Sequence, residues 1–174
     1  MSTRAEALAT RIEMGAKRLA DFAAGLTDRD WKTEVHPDGR TVGVIVHHVA
    51  SVYPLEVQLA QHVASGAPIE DVTWSLVAEM NALHACENGD RGKHETIHLL
   101  QCNSRRAAEA VRVLTDAQLD VAAPVSLNAD APLTAQFIIE DHAVRHSWHH
   151  LAKIRAVLDK VRPITRRTAL AGVL

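Results

Sequence analysis

The sequence predicts an all-α fold, most simply a four-helix bundle with long connections. Three observations in the 174-residue chain carry that reading: four long amphipathic stretches, no convincing strand, and polar connectors between the helix ends. The length suffices for a substantial core in one domain. Hydrophobic residues at 47% and charged residues at 23% mark a globular chain. A net charge of −2 without a basic patch argues against nucleic acid as a partner, and 3% aromatics are too few for base stacking.

The first helix is read from a capping box at Thr3-Arg4-Ala5-Glu6 and from Leu8, Ile12, Leu19, Phe22 and Leu26 at helical spacing up to Gly25. A polar connector over 27–40, with Trp31, Pro37 and the turn Asp38-Gly39, is long enough that the flanking helices need not form a tight hairpin. Thr41 caps a second helix that ends near Gly66 and is expected to bend at Pro54. Its apolar stripe is Val44, Ile45, His48, Val52, Leu55 and Leu59, with His47 turned away from it. A shorter helix over 71–87 carries Trp74, Leu76, Met80, Leu83 and His84. Another long helix over 91–114 buries Ile97, Leu100, Ala107, Val111 and Leu114. Leu114-Thr115-Asp116 echoes Leu26-Thr27-Asp28, which suggests two helix–connector–helix halves. Asp130-Ala131-Pro132 reads as the cap of the last helix, which stops before Pro163. Residues 1–162 would form the bundle and 163–174 a tail.

The chemistry concentrates in 137–158, FIIEDHAVRHSWHHLAKIRAVL. At about 3.6 residues per turn, Ile139, Ala143, His146, His150, Ile154 and Val157 fall on one stripe. His146 and His150, at i and i+4, can aim two imidazoles at one point, half of a metal site. His48 is the inward histidine of its own helix and the candidate third ligand. Alone, each is also compatible with a hydrogen-bonded core histidine. Glu56, two turns after His48, is a candidate base or substrate contact, and His142, one turn before His146, a candidate catalytic or supporting residue. Glu140 and Asp141 could orient the ligand rings, while His149 sits beside the stripe. His94-Glu95-Thr96-Ile97-His98 fits the zinc-protease pattern, but its row continues through Gln101, Arg105 and Arg112, a solvated face without a third ligand.

His47-His48-Val49-Ala50 after Thr41-Val42-Gly43, together with His146-Ser147-Trp148-His149-His150-Leu151-Ala152-Lys153-Ile154, resembles the DinB/YfiT-like superfamily. The likeness runs over nearly the whole chain, including the Leu-Thr-Asp turns. It departs at Lys153, where many members carry Gln, and at Leu151-Ala152 in place of Arg-Gly. The resemblance implies a four-helix bundle whose His triad corresponds here to His48, His146 and His150. It also implies metal-dependent chemistry on a low-molecular-weight thiol, since members include bacillithiol and mycothiol S-transferases and a mycothiol-dependent maleylpyruvate isomerase. A small thiol and an electrophile are the expected partners, with neither nucleic acid nor membrane. Three neutral imidazoles suit zinc first, with nickel, iron or manganese as alternatives. A metal-activated-water hydrolase and a non-catalytic metal- or small-molecule-binding bundle are the competing readings. A homodimer is expected from the resemblance and from apolar surface on several helices. Cys86 and Cys102 suggest no disulfide framework, so a reducing cytoplasm is the expected compartment. No apolar run is read as reaching the roughly 18 residues of a membrane span, and no signal peptide is read at the N-terminus.

Overall fold

A computed structural model describes residues 2–161, so the expected tail lies outside the described residues. Four long helices form the bundle: α1 (Thr3–Ala24), α3 (Val42–Ala64), α5 (Lys93–Arg112) and α8 (Arg145–Val161). Between them lie α2 (Asp28–Trp31), α4 (Trp74–Glu87), α6 (Asp116–Asp120) and a hairpin of β1 (Ala122–Val125) and β2 (Ala131–Thr134). The helical run into α8 begins with α7 (Ala135–Ile138) and passes through a π-helical turn, Ile139–Val144. Helix α5 packs on both α1 and α3, and α8 packs on the same two helices, so α1 and α3 stand on a diagonal, as the long connector allows.

The repeated Leu-Thr-Asp turns have a shared physical role. Thr27 and Thr115 each cap a short helix through a full capping box, with Asp30 and Gln118 completing it. At the start of α1, by contrast, the cap is Ser2, whose hydroxyl accepts from Ala5 N, so the box expected at Thr3 and Glu6 does not form. Helix α3 runs through Pro54. Proline cannot donate to the Ala50 carbonyl, and Asn103 Nδ2 of α5 donates to it instead at 2.9 Å. Tyr53 and Ser147, both fully buried, share a 2.6 Å hydrogen bond that ties α3 to α8 one residue from His146. Tyr53 is thereby a register pin in the core.

Several expectations are corrected. The hairpin is β structure where a helix cap at Pro132 was expected: Pro124 and Pro132 face each other across it, and Thr134 is the cap that follows. Ile69 N donates to Pro124 O at 2.9 Å, so the hairpin is held to the break after α3. On α3 the buried stripe continues through Tyr53, Glu56, Val57 and Ala60, while Leu55 is 42% exposed. Helix α3 also reaches a mean hydropathy of 1.2 over 18 residues, enough for a membrane span by length and composition, with 67% of that window buried in the fold. Its apolar surface is covered by the bundle itself.

Gly43 sits where α2 presses on α3. A Cβ there would lie 2.5 Å from Trp31 Nε1 and 2.7 Å from Cε2. The indole has little room to yield, since it is 8% exposed and donates to Arg91 O at 3.3 Å. Alanine would gain about 1 kcal/mol of helix propensity against an overpacking cost of about 1–3 kcal/mol. Gly43→Ala is therefore expected to lower unfolding free energy by up to about 2 kcal/mol in urea denaturation, and a raised midpoint would refute the contact.

Candidate metal centre

Helix α3 presents His48 inward and α8 presents His146 and His150 one turn apart, so three imidazoles converge. Their candidate ligand nitrogens all lie within 4.8 Å of one another. Ring centroids are 5.1 Å apart for His48–His146, 5.7 Å for His48–His150 and 4.8 Å for His146–His150. These are the three histidines that helical periodicity singles out. Zinc–imidazole bonds of about 2.0–2.1 Å at tetrahedral angles set ligand nitrogens about 3.4 Å apart, so the widest separations close by up to about 1.4 Å, within reach of small side-chain rotations. His150 Nδ1 is buried with no hydrogen-bond partner among the described residues. The donor set therefore fits a divalent ion.

Glu56 completes the group. It is buried, and its Oε1 accepts a short hydrogen bond from His146 Nδ1. That contact leaves His146 Nε2 as the nitrogen available to an ion, the usual carboxylate–imidazole support of a metal ligand. Its second oxygen, Oε2, is buried without a partner. Glu140 and Asp141 instead pair with Arg11 and Arg145 at 2.7 and 3.0 Å, so neither orients a ligand ring. His142 lies half-buried in the π-helical turn, where its side chain makes no hydrogen bond, ion pair or ring contact among the described residues. His149 is exposed, with its ring 5.2 Å from that of His150. His94 and His98 are exposed on α5, away from this group.

Two neighbours escaped the sequence reading. His47, expected to face away, is 8% exposed because α4 lies over it, and its Nδ1 is 2.9 Å from His84 Nε2. Arg40, in the connector before α3, pairs with Asp38 through Nε–Oδ1 at 2.5 Å and Nη2–Oδ2 at 2.9 Å. No helical period could reveal either one, since both depend on how connectors fold back over the bundle. A surface groove of about 450 Å³ along Arg11, Met14, Glu140, Val144, Arg145 and Trp148 does not include the triad in its lining.

Electrostatics favours the neutral rings that ligation needs. Burial, and then the His146 imidazole, push His48 down to about 3 and His150 down to about 2. In the unfolded chain both return to the ordinary value near 6.5. Above that pH neither state holds the protons, so these groups are silent. As pH falls below about 6.5 the unfolded chain takes up protons that the folded one refuses, and stability drops until the folded values are reached. The metal-free protein is thus expected to lose up to about 1.4 kcal/mol per pH unit for each histidine between pH 6.5 and 4. Urea midpoints across that range measure the slope, and a flat profile would show that the rings are solvated.

A sequence profile of the DinB superfamily matches residues 11–154. Among solved structures, YfiT from Bacillus subtilis superposes with a TM-score of 0.73 at 20% identity, covering 92% of this chain and 90% of its own. It is described as a probable metal-dependent hydrolase with an unusual four-helix bundle topology. At that identity the likeness shows the fold. No curated protein sequence matches the chain.

Proposed function

The chain belongs to the DinB superfamily, and from that premise we propose that it is a metal-dependent enzyme, a low-molecular-weight thiol S-transferase. The observation that carries this is the convergence of His48, His146 and His150 with the Glu56 carboxylate behind His146. A divalent ion, zinc first and nickel, iron or manganese as alternatives, would supply the Lewis acidity that deprotonates a thiol of ordinary pKa near 8.5. Three neutral imidazoles would hold it without cancelling its charge and leave coordination open. Glu56 would fix the His146 ring through Nδ1–H and could take a proton on its unpartnered Oε2. His142 is proposed as a wall of the approach from the π-helical turn. Both cysteines, Cys86 and Cys102, are unpaired, which suits a reducing cytoplasm. A homodimer is proposed from the exposed apolar residues Trp74, Leu76, Met80 and Leu83 along α4.

The second reading is a hydrolase. It is supported by the description of YfiT and by a buried carboxylate with one oxygen to spare, which suits a base acting on water. The test is a matrix of mycothiol, bacillithiol, glutathione and coenzyme A against halogenated and epoxide electrophiles. Metal-loaded protein is expected to accelerate conjugation with at least one thiol, and the rate should fall to that of His150→Ala on chelation. Loaded protein that conjugates nothing but cleaves an ester or amide would establish the hydrolase instead. Activity in neither assay would favour a non-catalytic binding bundle.

A further inference from the structure

Two buried N–H donors beside the triad have no acceptor among the described residues: His84 Nδ1 and Arg40 Nη1. The hydrogen bonds around His84 favour one tautomer of its ring. Ser51 Oγ donates to the His47 carbonyl at 2.7 Å, so it turns a lone pair toward His47 Nδ1, 3.3 Å away. His47 Nδ1 therefore carries the proton and donates to His84 Nε2 at 2.9 Å. A neutral imidazole has one N–H, so that of His84 is on Nδ1, the orphaned atom. Its ring centroid is 5.5 Å from that of His48. Helix α4 has no buried residue among its fourteen, so core packing does not account for a histidine held there.

Arg40 is held as firmly. Its carbonyl accepts from Val35 N at 2.9 Å, Glu34 and Thr41 bridge beside it, and Asp38 occupies Nε and Nη2. Nη1 is left over, and the Arg40 charge bears on His48, His84 and His150. A buried unpaired donor costs about 1–3 kcal/mol, and more on a charged group. Two such donors, one on a ring against His48 and one on a guanidinium whose charge reaches the same imidazoles, point to an acceptor beside the triad. A guanidinium near a dication is also repelled by it, and an anion placed between the two attracts both.

We propose that Arg40 Nη1 and His84 Nδ1 form an anion-binding subsite beside His48, His146 and His150, and that it takes a carboxylate carried by the small molecule bound at the triad. Two donors match the two oxygens of a carboxylate, whereas a phosphate would ask for more. The inference rests on reading the triad as a metal site, and makes Arg40 and His84 specificity-determining residues for its ligand.

The test compares 3-mercaptopropionate with 2-mercaptoethanol on cobalt(II)-loaded protein, reading the thiolate-to-cobalt absorption and correcting for the ionised fraction of each thiol. The wild type is expected to prefer the carboxylate-bearing thiol by about ten-fold or more beyond the preference of cobalt(II) in solution. Arg40→Gln and His84→Leu should each abolish that excess, His84→Asn should retain most of it, and cobalt stoichiometry should stay unchanged in all three. Because α4 is exposed, His84→Leu leaves the core intact and keeps the test usable even where Arg40→Gln disturbs its connector. An excess that survives both substitutions, or is absent from the wild type, would overturn the subsite. If neither thiol produces the absorption, the thiol reading fails by itself, and acetate calorimetry on the same proteins decides. Acetate binding weakened by both substitutions would sustain the subsite; absent or unaltered binding would remove it.

Discussion

Alanine at His48, His146 or His150 is expected to strip the purified protein of near-stoichiometric metal, while the His94→Ala/His98→Ala double variant keeps it. The asymmetry follows from placement. The first three rings converge with ligand nitrogens within 4.8 Å, and each removal leaves two imidazoles, too few to hold a divalent ion through purification. His94 and His98 stand exposed on α5, where Cys102 Sγ lies 3.6 Å from His98 Nε2, and among the described residues no three ligand atoms converge there. Elemental analysis of the four proteins beside the wild type measures it. Metal lost from the double variant alone would transfer the site to α5. The His48 and His150 variants should also fold, since removing a buried imidazole held near pKa 2–3 relieves desolvation as well as opening a cavity, and the part-buried His146 leaves a smaller gap.

Glu56→Gln should separate two roles that one carboxylate can play. The amide keeps the shape and an acceptor oxygen but loses the charge that strengthens the bond to His146 Nδ1. Outer partners of metal-bound imidazoles are typically worth 10–100-fold in affinity, and a loss of that order is expected in competition with a calibrated chelator. With the metal then saturated, any further fall in rate reports proton transfer by Glu56, for which about 10²–10⁴-fold is usual. A saturated variant at wild-type rate would confine Glu56 to orienting His146. Unchanged metal affinity would mean that the contact does not support a ligand at all.

The triad was legible because each of its members lies on a helix long enough for the 3.6-residue period to separate inside from outside. Glu56 was legible by the same rule, two turns beyond His48, although burial was no more than even with exposure until the fold placed it under α8. The hairpin was not legible. Four-residue strands carrying Pro124 and Pro132 read as turn, and Asp130-Ala131-Pro132 has the composition of a helix start. The π-helical turn over Ile139–Val144 has no sequence signature either, since the buried residues at its two ends, Ile138 and Ile139 then Ala143 and Val144, suit an ordinary helix as well. Beyond Val52 the stripe of α3 drifted from the expected row because Leu55 and Leu59 outrank Tyr53 and Glu56 in hydropathy, while Ser147 and His146 across the interface select the latter two. His47 and Arg40 became part of the site only through α4 and the connector before α3, which long-range packing places.

The most direct measurement is anomalous diffraction at the metal edge from crystals of the loaded protein. One peak is predicted, about 2.0–2.1 Å from one nitrogen each of His48, His146 and His150, with Nε2 the ligand atom of His146 and Glu56 hydrogen-bonded behind it rather than bound. A peak at His94 and His98, or one closed off by a fourth protein ligand, would contradict an open catalytic metal centre between α3 and α8.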